Sequence, residues 1–141
     1  MRMFLLFPVL ILAACGGAKD AKQEEPRRPT GPMAGASGAA DCPGLPVWVA
    51  IERGAPVTSC HHGQTGPHRE SGVVEFNSMS PPDFVIQTYR ETAARAGLKP
   101  GGAMGGSFSA TAGNARSIMV MTRPGPKGVG TTVTVNWGQE I

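Results

Sequence analysis

Residues 80–102, SPPDFVIQTYRETAARAGLKPGG, constrain the fold more than any other part of the chain, because they carry a helical repeat. Apolar side chains recur there at intervals of three and four residues, the spacing of one face of an α-helix. The apolar positions are Val85, Ile86, Tyr89, Ala93 and Ala96. A helix with a single apolar face must pack that face against another layer. The rest of the domain therefore has to supply that layer.

The two ends of this segment carry helix boundary signals. Ser80 is predicted to cap the first free N–H groups, and Pro81 suits the first turn. Gly97 is predicted to adopt the left-handed conformation that ends a helix, and Leu98 to fold back onto Ala93. The helix is thus predicted to end before Pro100, which cannot continue it.

The neighbouring segments alternate apolar and polar side chains or are rich in β-branched residues, which is typical of strands. Five strands are predicted, at residues 54–62, 71–79, 107–112, 116–123 and 131–137. Residues 47–53 (VWVAIER) are a candidate edge strand, and the glycine clusters GGAMGGS and GPKGVG are interpreted as flexible connectors. The order β-β-α-β-β-β predicts an α+β two-layer sandwich, with one amphipathic helix packed on an antiparallel sheet.

The amino terminus reads MRMFLLFPVLILAACGG, a basic residue followed by a short apolar run. That run is too short for a membrane-spanning helix, which needs about 20 residues, and is typical of a secretory signal. Leu12-Ala13-Ala14-Cys15 follows it and resembles the lipobox of bacterial lipoproteins. The resemblance implies that a signal peptidase recognises Leu12, Ala13 and Ala14 and cuts before Cys15. Cys15 would then carry the lipid, including palmitate. The alternative is an ordinary secretory signal with Cys15 as a free thiol.

The lipobox resemblance also implies a location. Gly16 stands where this family places Asp to retain a protein in the inner membrane, so the expected site is the outer membrane, facing the periplasm. Residues 1–14 are therefore interpreted as the signal peptide and residues 15–41 as the lipidated cysteine with a flexible tether. The tether is rich in Gly, Pro, Ala and balanced charge, and such a composition cannot bury a core. Residues 42–141 are predicted to form the globular domain.

The segment SCHHGQTGPH, residues 59–68, raises the question of a metal site. An exported chain favours a disulfide between Cys42 and Cys60, with His61, His62 and His68 as polar loop residues. The alternative is a metal site. Cys60, His61, His62 and His68 do not match the usual zinc spacings, and adjacent strand residues point to opposite faces. A copper site built from Cys60, His62 and a methionine such as Met104 or Met119, or two free thiols, remain open.

Catalytic motifs are not evident in the sequence. It contains no G-x-S-x-G nucleophile elbow and no phosphate-binding loop pattern. The formal charge of +3 does not amount to a basic stripe, so nucleic acid is not an expected partner. The sequence therefore predicts a protein that is not an enzyme and needs no cofactor.

Two hypotheses about function follow from these features. The first is a non-enzymatic, lipid-anchored envelope protein that binds a periplasmic component or supports envelope assembly. The second is a periplasmic lipoprotein that binds a metal or small ligand through the Cys60, His61, His62 and His68 region.

Overall fold

The structure is a computed structural model that describes residues 42–141. The predicted signal peptide, the lipobox with Cys15, and the tether lie outside the described residues. The regular elements are β1 (Val57–Gly66), β2 (Arg69–Ser78), α1 (Pro82–Arg95), β3 (Lys99–Met104), β4 (Ser107–Ala112), β5 (Arg116–Pro124) and β6 (Thr131–Glu140). A single 3₁₀ turn, Pro126–Gly128, lies between β5 and β6.

All six strands form one antiparallel sheet in the order β1-β2-β6-β5-β4-β3. The last strand in the chain therefore lies at the centre of the sheet, between β2 and β5. This position explains the composition of β6, whose Val133, Val135 and Trp137 are all buried. The predicted α+β class, with one helix and an antiparallel sheet, is confirmed.

The predicted element order was wrong in one respect, because the helix is followed by four strands, not three. The segment Lys99–Met104, which includes the start of the glycine cluster interpreted as a connector, forms the edge strand β3. All six of its residues are exposed, so no buried side chain marks it as a strand. Gly105 and Gly106 adopt positive φ angles of 51° and 80°, which is the combination that a tight two-residue hairpin turn requires. Backbone pairing with β4 therefore creates this strand.

Residues 47–53 do not form the predicted edge strand but run as turns and irregular chain. Val49, Ala50 and Ile51 are nevertheless buried, each less than 4% exposed. Three consecutive buried residues cannot belong to an edge strand with one solvated face, because successive side chains of a strand point to opposite sides. This segment instead packs into the hydrophobic core that the helix and the sheet share.

The helix ends as predicted and begins differently. Gly97 has a φ angle of +76°. The Leu98 N–H donates to the Ala93 carbonyl at 2.9 Å, and the Gly97 N–H donates to the Ala94 carbonyl at 3.0 Å, which is the Schellman pattern. At the other end, no side chain caps the helix, so the predicted cap at Ser80 was wrong. Among residues 42–141, no helix is long and apolar enough to cross a membrane.

Ser80 lies in a polar cluster that attaches the irregular segment to the helix and the sheet. The Ser80 hydroxyl donates to Glu52 Oε1 at 3.4 Å, and the Ser78 hydroxyl donates to Glu52 Oε2. The Tyr89 hydroxyl, on the buried face of α1, donates to the Ala50 carbonyl. The Ser80 hydroxyl is thus directed toward Glu52, which explains why it is not available to cap α1.

Tyr89 should make the domain sensitive to alkaline pH. Burial, and secondly the negative charge of Glu52, raise the pKa of Tyr89 above its ordinary value. Because the folded state holds the proton more tightly, stability is complete below the unfolded pKa of about 10 and falls as the pH rises above it, by up to about 1.4 kcal/mol per pH unit.

Tyr89 is the only tyrosine of the chain, so tyrosinate absorbance reports on it alone. We expect that absorbance and the loss of circular dichroism to rise together above about pH 10. The Tyr89→Phe variant should show a shallower alkaline decline in stability. Tyrosinate absorbance that develops while the dichroism stays native would contradict the burial argument.

Candidate functional site

The sheet has two unlike faces, and within residues 42–141 the helix and the segment before β1 pack on the same one. The covered face carries the core side chains, among them Val74, Phe76 and Val120, which are fully buried. The helix contacts β3, β4 and β5 on this side. The segment before β1 shares the same core, through Val49 and Ile51.

The opposite face, here called the open face, is formed by the alternate residues of each strand. They are Ser59, His61 and Gly63 of β1; Arg69, Ser71, Val73, Glu75 and Asn77 of β2; Thr132, Thr134, Asn136, Gly138 and Glu140 of β6; Ser117, Met119, Met121 and Arg123 of β5; Ser107, Ser109 and Thr111 of β4; and Lys99, Gly102 and Met104 of β3. Small hydroxyl side chains and methionines predominate in this set.

Glu75 accepts hydrogen bonds from three other side chains on the open face and beside it. Its Oε2 accepts hydrogen bonds from Arg123 at 3.0 Å and from Thr134 at 3.2 Å, and its Oε1 accepts one from Thr58 at 3.3 Å. Glu75 and its three partners belong to four different strands, so this carboxylate links β1, β2, β5 and β6. One of the three donors is the arginine of an ion pair, so the carboxylate holds the side chains of neighbouring strands in place.

The structure contains a disulfide between Cys42 and Cys60, with the two Cα atoms 5.6 Å apart. Cys60 pairs with Val74 across β1 and β2, which places its side chain on the covered face. Cys42 is 1% exposed. The bond therefore attaches the beginning of the domain to the sheet within the core, and it leaves no free thiolate at Cys60 to bind a metal.

The three histidines lie in different places. His61 pairs with Val73 and belongs to the open face, whereas His62 pairs with Gly72 and belongs to the covered face. His68 lies in the turn between β1 and β2. Within residues 42–141 no three side chains of the types His, Cys, Asp and Glu are grouped so that they could hold a metal ion. The structure thus does not bring together the donors of the histidine metal hypothesis.

The methionines of the copper hypothesis are also apart from His62. Met104 and Met119 belong to the open face, opposite to the side chains of Cys60 and His62. The sheet therefore lies between the methionines and this histidine.

His62 instead belongs to a chain of hydrogen bonds that the sequence interpretation missed. Its Nδ1 lies 3.2 Å from Glu70 Oε1. Glu70 Oε2 accepts from the Gln139 amide at 3.1 Å, and Gln139 Oε1 accepts from the Trp48 indole N–H at 3.2 Å. The His62 side chain is 33% exposed. The chain joins β1, β2 and β6 to the segment before β1, and its members are remote in sequence.

Two glycines make room for the His62 ring. A Cβ atom on Gly44 would lie 2.6 Å from the ring, and one on Gly72 would lie 2.7 Å from both His62 Cβ and the Trp137 ring. The His62 and Trp137 rings are 6.3 Å apart, centroid to centroid. Aromatic side chains packed over a strand glycine compensate for its missing side chain. Gly72 is thus required here by close packing.

Two shallow depressions adjoin the centre of the sheet. One has a volume of about 440 Å³ and is bordered by His61, His62 and Val73, among others. The other, of about 310 Å³, is bordered by Ser109, Thr111 and Met119, among others. Asn136 of the central strand borders both. Hydroxyl, amide and thioether groups line them, so they can offer hydrogen bonds and soft donor atoms to a ligand.

No protein-family model, curated protein or solved structure matches this chain.

Proposed function

We propose that the protein is a non-enzymatic, lipid-anchored binding module of the cell envelope. It is held by acyl chains on Cys15 at the outer membrane and faces the periplasm. The resemblance of residues 12–15 to a lipobox supports the anchor. The Cys42–Cys60 disulfide supports an exported location, because such bonds persist in oxidising compartments and are rare in the cytoplasm.

The open face is the observation that carries the binding role. In the proposed arrangement, the helix and the segment before β1 form one layer and the sheet forms the other. The outer side of the sheet is then available to a partner. Its hydroxyl and amide groups offer hydrogen bonds, and its exposed methionines offer adaptable apolar contact, which is common at binding surfaces.

Three carboxylates of the domain support a role without catalysis, because other side chains engage each of them. Glu75 holds three donors, Glu70 is bonded to His62 and Gln139, and Glu52 is bonded to Ser78 and Ser80. Each of these carboxylates takes part in holding elements of the fold together.

The anchor is tested by substitution of the lipidated residue. In cells fed radiolabelled palmitate, the unmodified protein should be labelled and should sediment with membranes. Cys15→Ser should be unlabelled and should be recovered in the soluble periplasmic fraction, because no thiol remains to accept the lipid. Label that persists in the Cys15→Ser protein, or an unmodified protein that is never labelled, would contradict the proposal.

The binding surface is tested by photo-crosslinking in intact cells. A photoreactive residue at Thr111, on the open face, should capture a discrete envelope component. The matched control is Glu91, which is exposed on the helix, and it should capture none. Equal capture from both positions, or from neither, would argue against the open face as the binding surface.

A further inference from the structure

We infer that Met104, Met119 and Met121 form a binding site for a soft monovalent cation, Cu(I) or Ag(I), on the open face. The inference names a ligand chemistry for the face that the proposed function assigns to binding, and it does not depend on the lipid anchor.

The exposure of the methionines is the first observation. Large apolar side chains that are well exposed among residues 42–141 are Val47, Met79, Met104, Met119, Met121, Val129 and Ile141. Three of these, Met104, Met119 and Met121, lie on the open face and are 83%, 48% and 41% exposed, respectively. By contrast, the open face carries only one other apolar side chain larger than alanine, Val73. Packing into the core therefore does not account for the three thioethers.

The register of the strands is the second observation. Met104 pairs with Ser107, and Ser107 pairs with Met121, so the two methionines occupy one row across β3, β4 and β5. Met119 lies two residues before Met121 on the same face and pairs with Ser109. The Cα atoms in this triangle are therefore about 7 Å apart along β5, about 10 Å apart across β4, and about 12 Å apart between Met104 and Met119. Unbranched side chains with three rotatable bonds can meet over such separations.

The surroundings of the triangle leave it accessible and hold its geometry. The two intervening side chains are serines, which are too short to separate the thioethers. The Ser107 hydroxyl donates to the Met104 carbonyl at 2.6 Å and so holds Met104 beside the hairpin turn. Arg123, the next open-face residue of β5, is paired with Glu75 at 3.0 Å, so its charge is compensated.

The donor chemistry selects the ion. Thioether sulfur is a soft, neutral ligand that favours Cu(I), whereas carboxylate and water favour Mg²⁺ and Ca²⁺. Cysteine and histidine ligands must lose a proton before they bind, so their affinities depend on pH. Thioethers carry no proton. A site made of methionines should therefore bind equally well between about pH 5 and 8, the range in which histidines titrate.

The test uses the purified full-length Cys15→Ser protein, in which no free thiol competes for silver, with ¹³C-labelled methionine methyl groups, titrated with silver nitrate. The methyl signals of Met104, Met119 and Met121 should shift together and saturate at one equivalent. Each single Met→Leu substitution at these positions should weaken binding about tenfold or more, because a ligand is lost. Leucine conserves volume and the sites are exposed, so the variants should remain folded.

Met79→Leu and Met33→Leu are the matched controls. Met79 is 78% exposed but does not belong to the open face, and Met33 lies in the tether. Both variants should bind silver like the Cys15→Ser protein. Cu(I) should compete with silver, and Zn²⁺ or Mg²⁺ should not.

Several outcomes would overturn the inference. No saturable binding would leave the methionines as apolar contacts for a partner. Binding that falls on acidification and is abolished by His61→Asn or His62→Asn would place the ion at the histidines. Equal losses in Met79→Leu and Met121→Leu would indicate non-specific thioether binding. Because the titration uses purified protein, its failure would leave the palmitate result unaffected, and the reverse also holds.

Discussion

Replacing both Cys42 and Cys60 with serine should lower the free energy of unfolding by about 3 kcal/mol. The bond joins residues 18 positions apart, and closing a loop of this length restricts the unfolded chain by about that amount. For a domain of about 100 residues, such a loss lowers the melting temperature by roughly 12–24 °C. Thermal unfolding followed by circular dichroism measures it directly.

Reduction of the unmodified protein provides the control for this prediction. Excess dithiothreitol should lower its melting temperature toward that of the double variant and should leave the double variant unchanged. The comparison separates loss of the crosslink from any cost of placing serine in the core. A melting temperature that does not respond to reductant would show that the bond contributes little to stability.

Gly72→Ala should destabilise the domain by about 1–3 kcal/mol, the usual cost of adding atoms to a filled interior. The added Cβ would lie 2.7 Å from the backbone carbonyl oxygen of His61, 2.7 Å from His62 Cβ and 2.7 Å from the Trp137 ring. The carbonyl cannot move without disturbing the pairing of β1 with β2. Chemical denaturation with a two-state fit measures the loss.

Gly63→Ala is the matched control, since Gly63 lies one residue after His62 on the same strand. A Cβ there would meet nothing within 4 Å. The substitution should be neutral or should stabilise the domain by about 0.5 kcal/mol, because alanine loses less backbone entropy than glycine. Equal effects at the two positions would show that close packing at Gly72 is unimportant.

The helix was predictable because its signals are local. Its apolar repeat, its proline start and the Gly97–Leu98 ending all act within a few residues, and the Schellman bonds formed where they were expected. Ser80 shows the limit of that reasoning. Whether it caps the helix depended on Glu52, which is 28 residues away in sequence.

The missed elements share one physical cause. β3 exists because an edge strand needs only a backbone to pair with and a turn that reverses the chain, so it leaves no periodic side-chain pattern. Residues 47–53 looked like a strand because buried irregular chain is also apolar. In both cases the outcome was decided by what lay next to the segment in space.

Only part of the candidate site was predictable from the sequence, because alternation acts along a single strand whereas contacts between strands do not. Alternation along β1 indicated that His61 and His62 would point to opposite faces, which the register bears out. Nothing near His62 in sequence identified Gln139 or Trp48 as members of its hydrogen-bond chain. The methionine triangle likewise depends on β3, the one strand that the pattern of side chains did not reveal. Met104 joins the triangle only because β3 pairs with β4.

The amino-acid sequence by itself determined the helix, the antiparallel α+β class and the alternation of side chains within most strands. These follow from turn residues and from periods of two and 3.6 residues, which act along the chain. The tertiary structure alone decided that β6 lies at the centre of the sheet, that β3 exists, and which side chains meet across strands. Those outcomes depend on pairing between distant segments. The side chains of a segment do not specify which other segment its backbone groups will bond to.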